Sequence, residues 1–231
     1  MQHRQVLITG GSGGLGMAVV RKLFTGDTQM VLSYHSETGL DSFRAKLSAE
    51  MNEKIRFIKT DLSREEEVRQ LIDQLPDLQI LVHLVGGFTM APTVDFTLQN
   101  FQQQLNINLI TAFLTCKYSL RQMVKNNYGR IVTIGSRAAV EPSAALAAYA
   151  AAKAGVVALT RAIAAETRGT NITANVILPG VIDTPANREA MGEQNTQQWV
   201  KPESIAALIY LLTSAEARNI RGAVIPVYGD L

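Results

Sequence analysis

The chain has 231 residues, 47% of them hydrophobic and 18% charged, with a formal net charge of +2. This balance excludes a disordered chain, and the scattered basic side chains form no electrostatic footprint for nucleic acid. One α/β domain of this length buries a core that needs neither disulfides nor metals.

The only cysteine, Cys116, stands in an apolar helical stretch; it excludes an internal disulfide framework and reads as a small buried hydrophobe. Three widely spaced histidines offer no metal-ligand spacing, so no metal is expected. The N-terminal MQHRQVLITGG carries an apolar run too short for a signal peptide. The Ala-rich region 138–165 is broken by Glu141, Pro142, Lys153 and Arg161 and does not read as a membrane span. A cytoplasmic protein is expected, with neither a nucleic-acid nor a membrane partner.

Residues 6–8 form a short apolar strand leading into Thr9-Gly10-Gly11-Ser12-Gly13-Gly14-Leu15-Gly16. Helical apolar spacing follows at Met17, Val20, Leu23 and Phe24. A buried strand, a glycine turn and a helix N-terminus together make an anion site, because unpaired N–H groups and the helix dipole face the turn. Glycines also admit a pyrophosphate close to the backbone. Two registers fit: Gly11, Gly13 and Gly16 as G-x-G-x-x-G, or Thr9-Gly10-x-x-x-Gly14-x-Gly16.

A second strand, 30–34, ends at Tyr34-His35-Ser36, where an acid would grip the adenosine ribose of NAD. No acid stands there, and Glu37 comes slightly late. NADP(H) is therefore favoured, with NAD(H) as the alternative. A helix over 40–51 and a strand over 55–59 follow, closing on Thr60-Asp61-Leu62. Ser63, three residues before Glu66, is placed to cap a polar helix over 64–75. The nearly all-apolar strand 80–85 suits a parallel strand covered on both faces, and it ends at Val85-Gly86-Gly87. A long helix over 98–125 carries Asn106 and Asn108, residues unfavourable in a helix interior.

Strand 131–134 leads to Ser136, a loop with Pro142, and an Ala-rich helix bearing Tyr149 and Lys153. A separation of four puts these two on one helical face. A free tyrosine has a pKa of about 10, and a neighbouring ammonium is expected to pull it down towards working range. A serine hydroxyl facing the pair would hold a carbonyl oxygen while Tyr149 gives or takes its proton. Strand 173–178 stops at Pro179-Gly180; the polar segment 181–201, with Trp199 near its end, reads as a substrate lid. A helix over 203–212 and a strand over 223–227 complete the chain. The alternation predicts an α/β fold: a doubly wound parallel sheet of seven strands with helices on both faces, in a single domain spanning 1–231.

Together these motifs resemble the short-chain dehydrogenase/reductase family over essentially the whole chain, which implies a Rossmann-like fold and NAD(P)-dependent hydride transfer between nicotinamide and a carbonyl or secondary alcohol. Thr9-Gly-x-x-x-Gly-x-Gly16 is similar to the family's cofactor motif, Asp61-Leu62 to its adenine-contacting pair, and Pro179-Gly180-Val-Ile182-Asp-Thr184 to the stretch lining the nicotinamide. Asn108, Ser136, Tyr149 and Lys153 match its catalytic tetrad. The resemblance implies that Thr9, Gly10, Gly11, Ser12, Gly14, Leu15, Gly16, Tyr34, His35, Ser36, Asp61, Leu62, Val85, Gly86 and Gly87 hold the cofactor, with Tyr149, Lys153, Pro179, Gly180, Ile182 and Thr184. In the roles it implies, Tyr149 is the general acid or base and Ser136 holds the substrate oxygen. Lys153 lowers the Tyr149 pKa and binds the nicotinamide ribose, and Asn108 anchors a proton-relaying water.

Some positions depart from the family. His83 replaces an asparagine that ties neighbouring strands and reads as a core histidine, Gly13 stands where NADP users often carry Arg or Lys, and Tyr228-Gly229-Asp230-Leu231 replaces a Gly-Gly finish. Overall the chain is similar to 3-oxoacyl-ACP reductases, which puts a 3-oxoacyl thioester among its substrates. The lid, with Asp183 to Arg188, Met191, Trp199 and Pro202, and the Val-Gly-Gly-Phe at 85–88, resemble quinonoid dihydropteridine reductases. A pteridine reductase is thus one alternative, and a non-catalytic NADP(H)-sensing protein is another. Family members pair through the helices bearing Asn108 and Tyr149, so a homodimer or homotetramer is expected.

Overall fold

The computed structural model describes residues 4–25 and 27–230; residues 1–3, Gly26 and Leu231 of the expected domain lie outside the described residues. Seven strands, β1 (Arg4–Thr9), β2 (Thr28–Tyr34), β3 (Arg56–Lys59), β4 (Leu78–His83), β5 (Gly129–Ile134), β6 (Ile172–Pro179) and β7 (Val224–Val227), form one sheet. Their order is β3-β2-β1-β4-β5-β6-β7, and every pairing is parallel. The helices are α1 (Gly16–Leu23), α2 (Glu37–Arg44), α3 (Ala49–Lys54), α4 (Glu65–Asp73), α5 (Leu98–Leu105), α6 (Thr111–Lys125), α7 (Ala147–Glu166), α8 (Pro185–Met191) and α9 (Pro202–Leu212).

Alternation along the strands divides the core. Val6, Ile8, Ile80, Val82, Val132 and Ile134 face one side and pack with Val19, Val20, Phe43 and Ile209 of α1, α2 and α9. Leu7, Leu81, Ile131 and Ala174 face the other and pack with Val68, Leu71, Leu114 and Ile163 of α4, α6 and α7. Helices therefore cover both faces, and the central strands β1, β4, β5 and β6 are buried along nearly their whole length, whereas the edge strands β3 and β7 are partly exposed. By length and composition α7 would pass as a membrane span, but it packs on β5 and β6 and keeps Lys153 in the core.

Three local expectations change. The helix expected over 40–51 is two helices, because Ser48 caps α3 by accepting from the Met51 N–H at 3.2 Å. Ser63 does not cap α4; it donates its hydroxyl to Asp61 Oδ1 at 2.6 Å, a local turn that competes with capping. The long helix over 98–125 is interrupted by a π-turn at Asn106–Ile110, which turns Asn108 inward. Cys116 is buried, and burial pushes its thiol up to about 12, so it is chemically inert.

Candidate active site

In this strand order the chain reverses direction between β1 and β4, and the crevice outside the carboxyl ends of such strands is where these sheets take ligands. The glycine turn leaves β1 there. Gly10 has φ +70, and a Cβ on it would sit 2.9 Å from the Val85 backbone nitrogen at the β4 exit. A Cβ on Gly14 would lie 2.6 Å from Thr184 Cγ2, and one on Gly16 would collide with the Gly11 carbonyl. Gly13 meets only the Gly10 carbonyl oxygen, at 3.3 Å. A Cβ on Gly11 would also come within 2.8 Å of Leu32 Cδ2, so Gly13 is the one roomy position among these, and the approaches at Gly10 and Gly14 bring together Val85, Thr184 and the turn.

No side chain caps the first turn of α1 and no acid occupies it; the Gly16 N–H donates to the Gly13 carbonyl at 3.0 Å, and the N–H groups of Met17 and Ala18 are left to an anion. The cradle fits a pyrophosphate. Thr9 and Leu15 are buried, and Thr9 Oγ1 bonds His83 Nδ1 at 2.8 Å, joining β1 to β4. Thr111 Oγ1 stands 3.4 Å from His83 Nε2 while donating to the Ile107 carbonyl at 2.8 Å. Thr111 therefore accepts from Nε2–H and Nδ1 accepts from Thr9, a neutral tautomer. Burial, helped by the charge of Lys153, holds His83 down at about 3.

At the tip of β2, Tyr34 donates to Glu37 Oε1 at 3.3 Å, and Lys59 Nζ lies 3.2 Å from the same oxygen. His35 and Ser36 are exposed at the tip. The Ser63 hydroxyl holds Asp61 below its usual range, opposed by burial and assisted by the Ser63 N–H, His35 and Arg64. The Leu62 side chain packs in the core among the α4 and α6 side chains.

The chemistry-bearing side chains converge at the exits of β4 and β5. Ser136 ends the strand extension, its Oγ accepting from the Ala138 N–H at 3.2 Å, and its hydroxyl also meets that of Tyr149. Burial raises the Tyr149 pKa, and the Ser136 hydrogen bond offsets part of that. The expected depression by Lys153 is not what acts here: the ammonium lies 5.9 Å from the tyrosine ring centroid and donates to the Ile134 carbonyl at 3.0 Å. Burial brings Lys153 itself down to about 8. The ring of Phe88 meets Tyr149 edge to face at 5.2 Å.

Asn108 is fully buried. Its Nδ2 donates to the Gly87 and Gln104 carbonyls at 2.9 and 3.0 Å, and its Oδ1 accepts from the Gly87 N–H at 3.2 Å. A Cβ on Gly86 would come within 2.9 Å of Asn108 Oδ1 and 3.0 Å of Lys153 Nζ, so both polar groups face this backbone. π-turns recur at functional sites for this reason: they redirect one side chain without ending the helix.

The segment 181–201 carries more order than its composition suggests. Ile182 and Val200 form a parallel bridge, and Asp183 closes a clasp with Arg188 Nε and Lys201 Nζ, both at 2.6 Å. These cations hold Asp183 well below the usual carboxylate range. Thr184 caps α8 by accepting from the Asn187 N–H at 3.2 Å, and its methyl is the group facing Gly14. Gly180, beside Pro179, donates its N–H to the Val227 carbonyl at 2.9 Å. A hollow of about 580 Å³ opens under the clasp, but Ser136, Tyr149 and Lys153 do not line it. Sequence reasoning missed Lys59, Gln104 and the clasp; only strand register and loop closure bring these partners together.

Residues 4–195 match the family model described as short chain dehydrogenase. The chain is 32% identical to the 3-oxoacyl-[acyl-carrier-protein] reductase MabA of Mycobacterium tuberculosis, covering 99% of this chain and 92% of that protein. It is 30% identical to the 3-oxoacyl-[acyl-carrier-protein] reductase FabG of Rickettsia bellii, covering 100% and 98%. A solved short chain dehydrogenase/reductase family protein superposes with a TM-score of 0.89 at 28% identity, over 99% and 98% of the two chains. The glycine cradle, the parallel order and these likenesses agree: the chain belongs to the short-chain dehydrogenase/reductase family and is an NAD(P)-dependent oxidoreductase.

Proposed function

We propose that the chain reduces a ketone, or oxidises the matching secondary alcohol, using NADP(H) with NAD(H) as a second cofactor. The observation that carries this reading is the meeting of the Ser136 and Tyr149 hydroxyls at the β5 exit, one helical turn from a buried Lys153. Ser136 holds the substrate oxygen, and Tyr149, kept protonated by burial, delivers its proton to that oxygen in reduction. Lys153 faces the Gly86 backbone, where it meets the nicotinamide ribose. Asn108, by gripping Gly87 on both sides, holds that backbone against Lys153. The cofactor, when bound, supplies the hydride; the turn from Thr9 to Gly16 holds its pyrophosphate, and Ile182 and Thr184 close over its nicotinamide end.

A 3-oxoacyl thioester heads the substrate panel, since the MabA and FabG relatives are named for it. The loop 84–92 carries no charged side chain and exposes Phe88 and Met90, which suits an apolar chain beside the carbonyl. The test is cofactor oxidation with a panel of oxoacyl thioesters, simple ketones and a quinonoid dihydropteridine. Turnover of a ketone is expected, with Ser136→Ala lowering it about 10²-fold, the scale of removing one oxyanion donor. Turnover of the pteridine alone, unaffected by Ser136→Ala, would move the assignment to pteridine reduction. Tight cofactor binding with no turnover at all would mark a sensing protein.

The enzyme works in the cytoplasm as a homodimer or homotetramer. Val94, Leu98 and Phe113, on and beside α5 and α6, are 92%, 70% and 43% exposed, an apolar face that a second copy would cover. Leu98→Lys combined with Phe113→Lys is expected to convert the oligomer to monomer in light scattering. A parent chain that is already monomeric at micromolar concentration would rule this out.

A further inference from the structure

β5 runs out through Gly135 and Ser136 into a single 3₁₀ turn, Arg137–Ala139. The turn is short: the Ala139 N–H donates to the Ser136 carbonyl at 3.0 Å, and the Ala138 N–H donates to Ser136 Oγ at 3.2 Å. Three residues of 3₁₀ helix have poor hydrogen-bond geometry and hold their shape best with outside support. That support reaches Arg137. Its guanidinium lies 4.9 Å from the ring centroid of Tyr228, and its Nε donates to Glu141 Oε2 at 2.7 Å. Tyr228 is itself held from two sides. The Gly180 N–H donates to the Val227 carbonyl at 2.9 Å, and a Cβ on Gly180 would sit 2.6 Å from the Tyr228 carbonyl oxygen. Beyond the ring, Gly229 has φ +72, and the Asp230 N–H donates to the Gln198 carbonyl at 3.0 Å.

We propose that Tyr228 is a positioning residue for Ser136, acting through the guanidinium of Arg137. The inference rests on the ketone reading, in which Ser136 holds the substrate oxygen. Arg137 shares a peptide bond with Ser136, so a guanidinium pinned on the Tyr228 ring fixes that peptide and with it the direction of the serine hydroxyl. The stack carries this more than the ion pair does. Arg137 and Glu141 are 38% and 53% exposed, and an exposed pair of this spacing contributes little. A small displacement of the hydroxyl matters, because turnover falls steeply as a positioned group leaves its productive geometry. The Tyr228-Gly229-Asp230 finish thereby acquires a task at the active site, although none of its side chains enters it.

The test is a double-mutant cycle on kcat with the full chain and the best ketone of the panel, cofactor affinity being followed by fluorescence. Tyr228→Leu is expected to lower kcat about fivefold, the scale of one half-exposed cation–π contact, with NADPH affinity within about twofold. Tyr228→Phe keeps a ring under the guanidinium and is expected to restore kcat to within about twofold of the parent. In the Ser136→Ala background, Tyr228→Leu is expected to change kcat by less than about twofold, because the group it positions is gone. Arg137→Met, at an exposed position that the fold tolerates, is expected to repeat the pattern of Tyr228→Leu, and Glu141→Gln to stay within about twofold of the parent. Equal losses from Tyr228→Leu with and without Ser136, or no loss in the parent background, would overturn the positioning role. A loss from Glu141→Gln as large as that from Arg137→Met would assign the support to the ion pair and overturn the stack. If Ser136→Ala alone keeps full turnover, the ketone reading itself fails and the role of Tyr228 falls with it.

Discussion

Tyr149→Phe is expected to lower turnover by about 10²- to 10⁴-fold, the range for loss of a positioned general acid. The substitution keeps the ring, and so the edge-to-face contact with Phe88 at 5.2 Å, and removes only the hydroxyl that meets Ser136. Cofactor affinity is expected to stay within about twofold, since a single ring hydroxyl adds little to a dinucleotide held mainly by its phosphates. The pH profile gives an independent reading. Burial puts Lys153 at about 8, so its ammonium is present below that pH and lost above it, and ketone reduction by the parent is expected to decline on the alkaline side. A Tyr149→Phe chain that keeps full turnover would overturn the assigned proton donor, whatever its pH profile.

The second large effect concerns stability in acid. His83 titrates near 6.5 in an unfolded chain and at about 3 in the fold. Between those values the unfolded chain binds the extra proton, so the fold loses stability as pH falls through this window. From neutral pH to pH 4 the loss is about 3 kcal/mol, at 1.36 kcal/mol per pKa unit. His83→Asn abolishes this dependence. At pH 7 the variant is expected to be less stable by about 1–2 kcal/mol, because Asn cannot span from Thr9 to Thr111 as the imidazole does. At pH 4 it should overtake the parent. Urea unfolding at both values decides the matter: an unchanged gap between the two proteins would mean that His83 is not the acid-sensitive group.

The fold was readable because its central strands are largely apolar on both faces and all seven are bounded by glycine, proline or polar turns, so even the partly exposed edge strand β3 leaves a signal without tertiary information. The glycine turn was readable in kind but not in register. Gly10 and Gly14 are distinguished from Gly13 only by Val85 and Thr184, which arrive from distant parts of the chain. Asn108 stood out as an awkward helix residue, yet its burial depends on a π-turn that no local pattern announces. The Tyr149 environment was misread for a related reason. Four residues of spacing place Lys153 on the same face, but its ammonium donates to the Ile134 carbonyl and burial dominates the tyrosine. Pairings such as Glu37 with Lys59 come from strand register, which composition does not encode.

The Asp183 clasp has a consequence for how this chain can change. Arg188 and Lys201 meet one carboxylate, Ile182 bridges to Val200, and Gln198 and the buried Trp199 tie the far end of the segment down, the Gln198 carbonyl accepting from the Asp230 N–H at 3.0 Å. Its interior can then be exchanged as a cassette. A transplanted segment that keeps Asp183, Thr184, Arg188, Gln198, Trp199 and Lys201 would preserve the wall facing Gly14 while replacing the exposed stretch between them. Substitution within 189–197 would remodel that exposed stretch and leave the Gly14 wall, Ser136 and Tyr149 as they are.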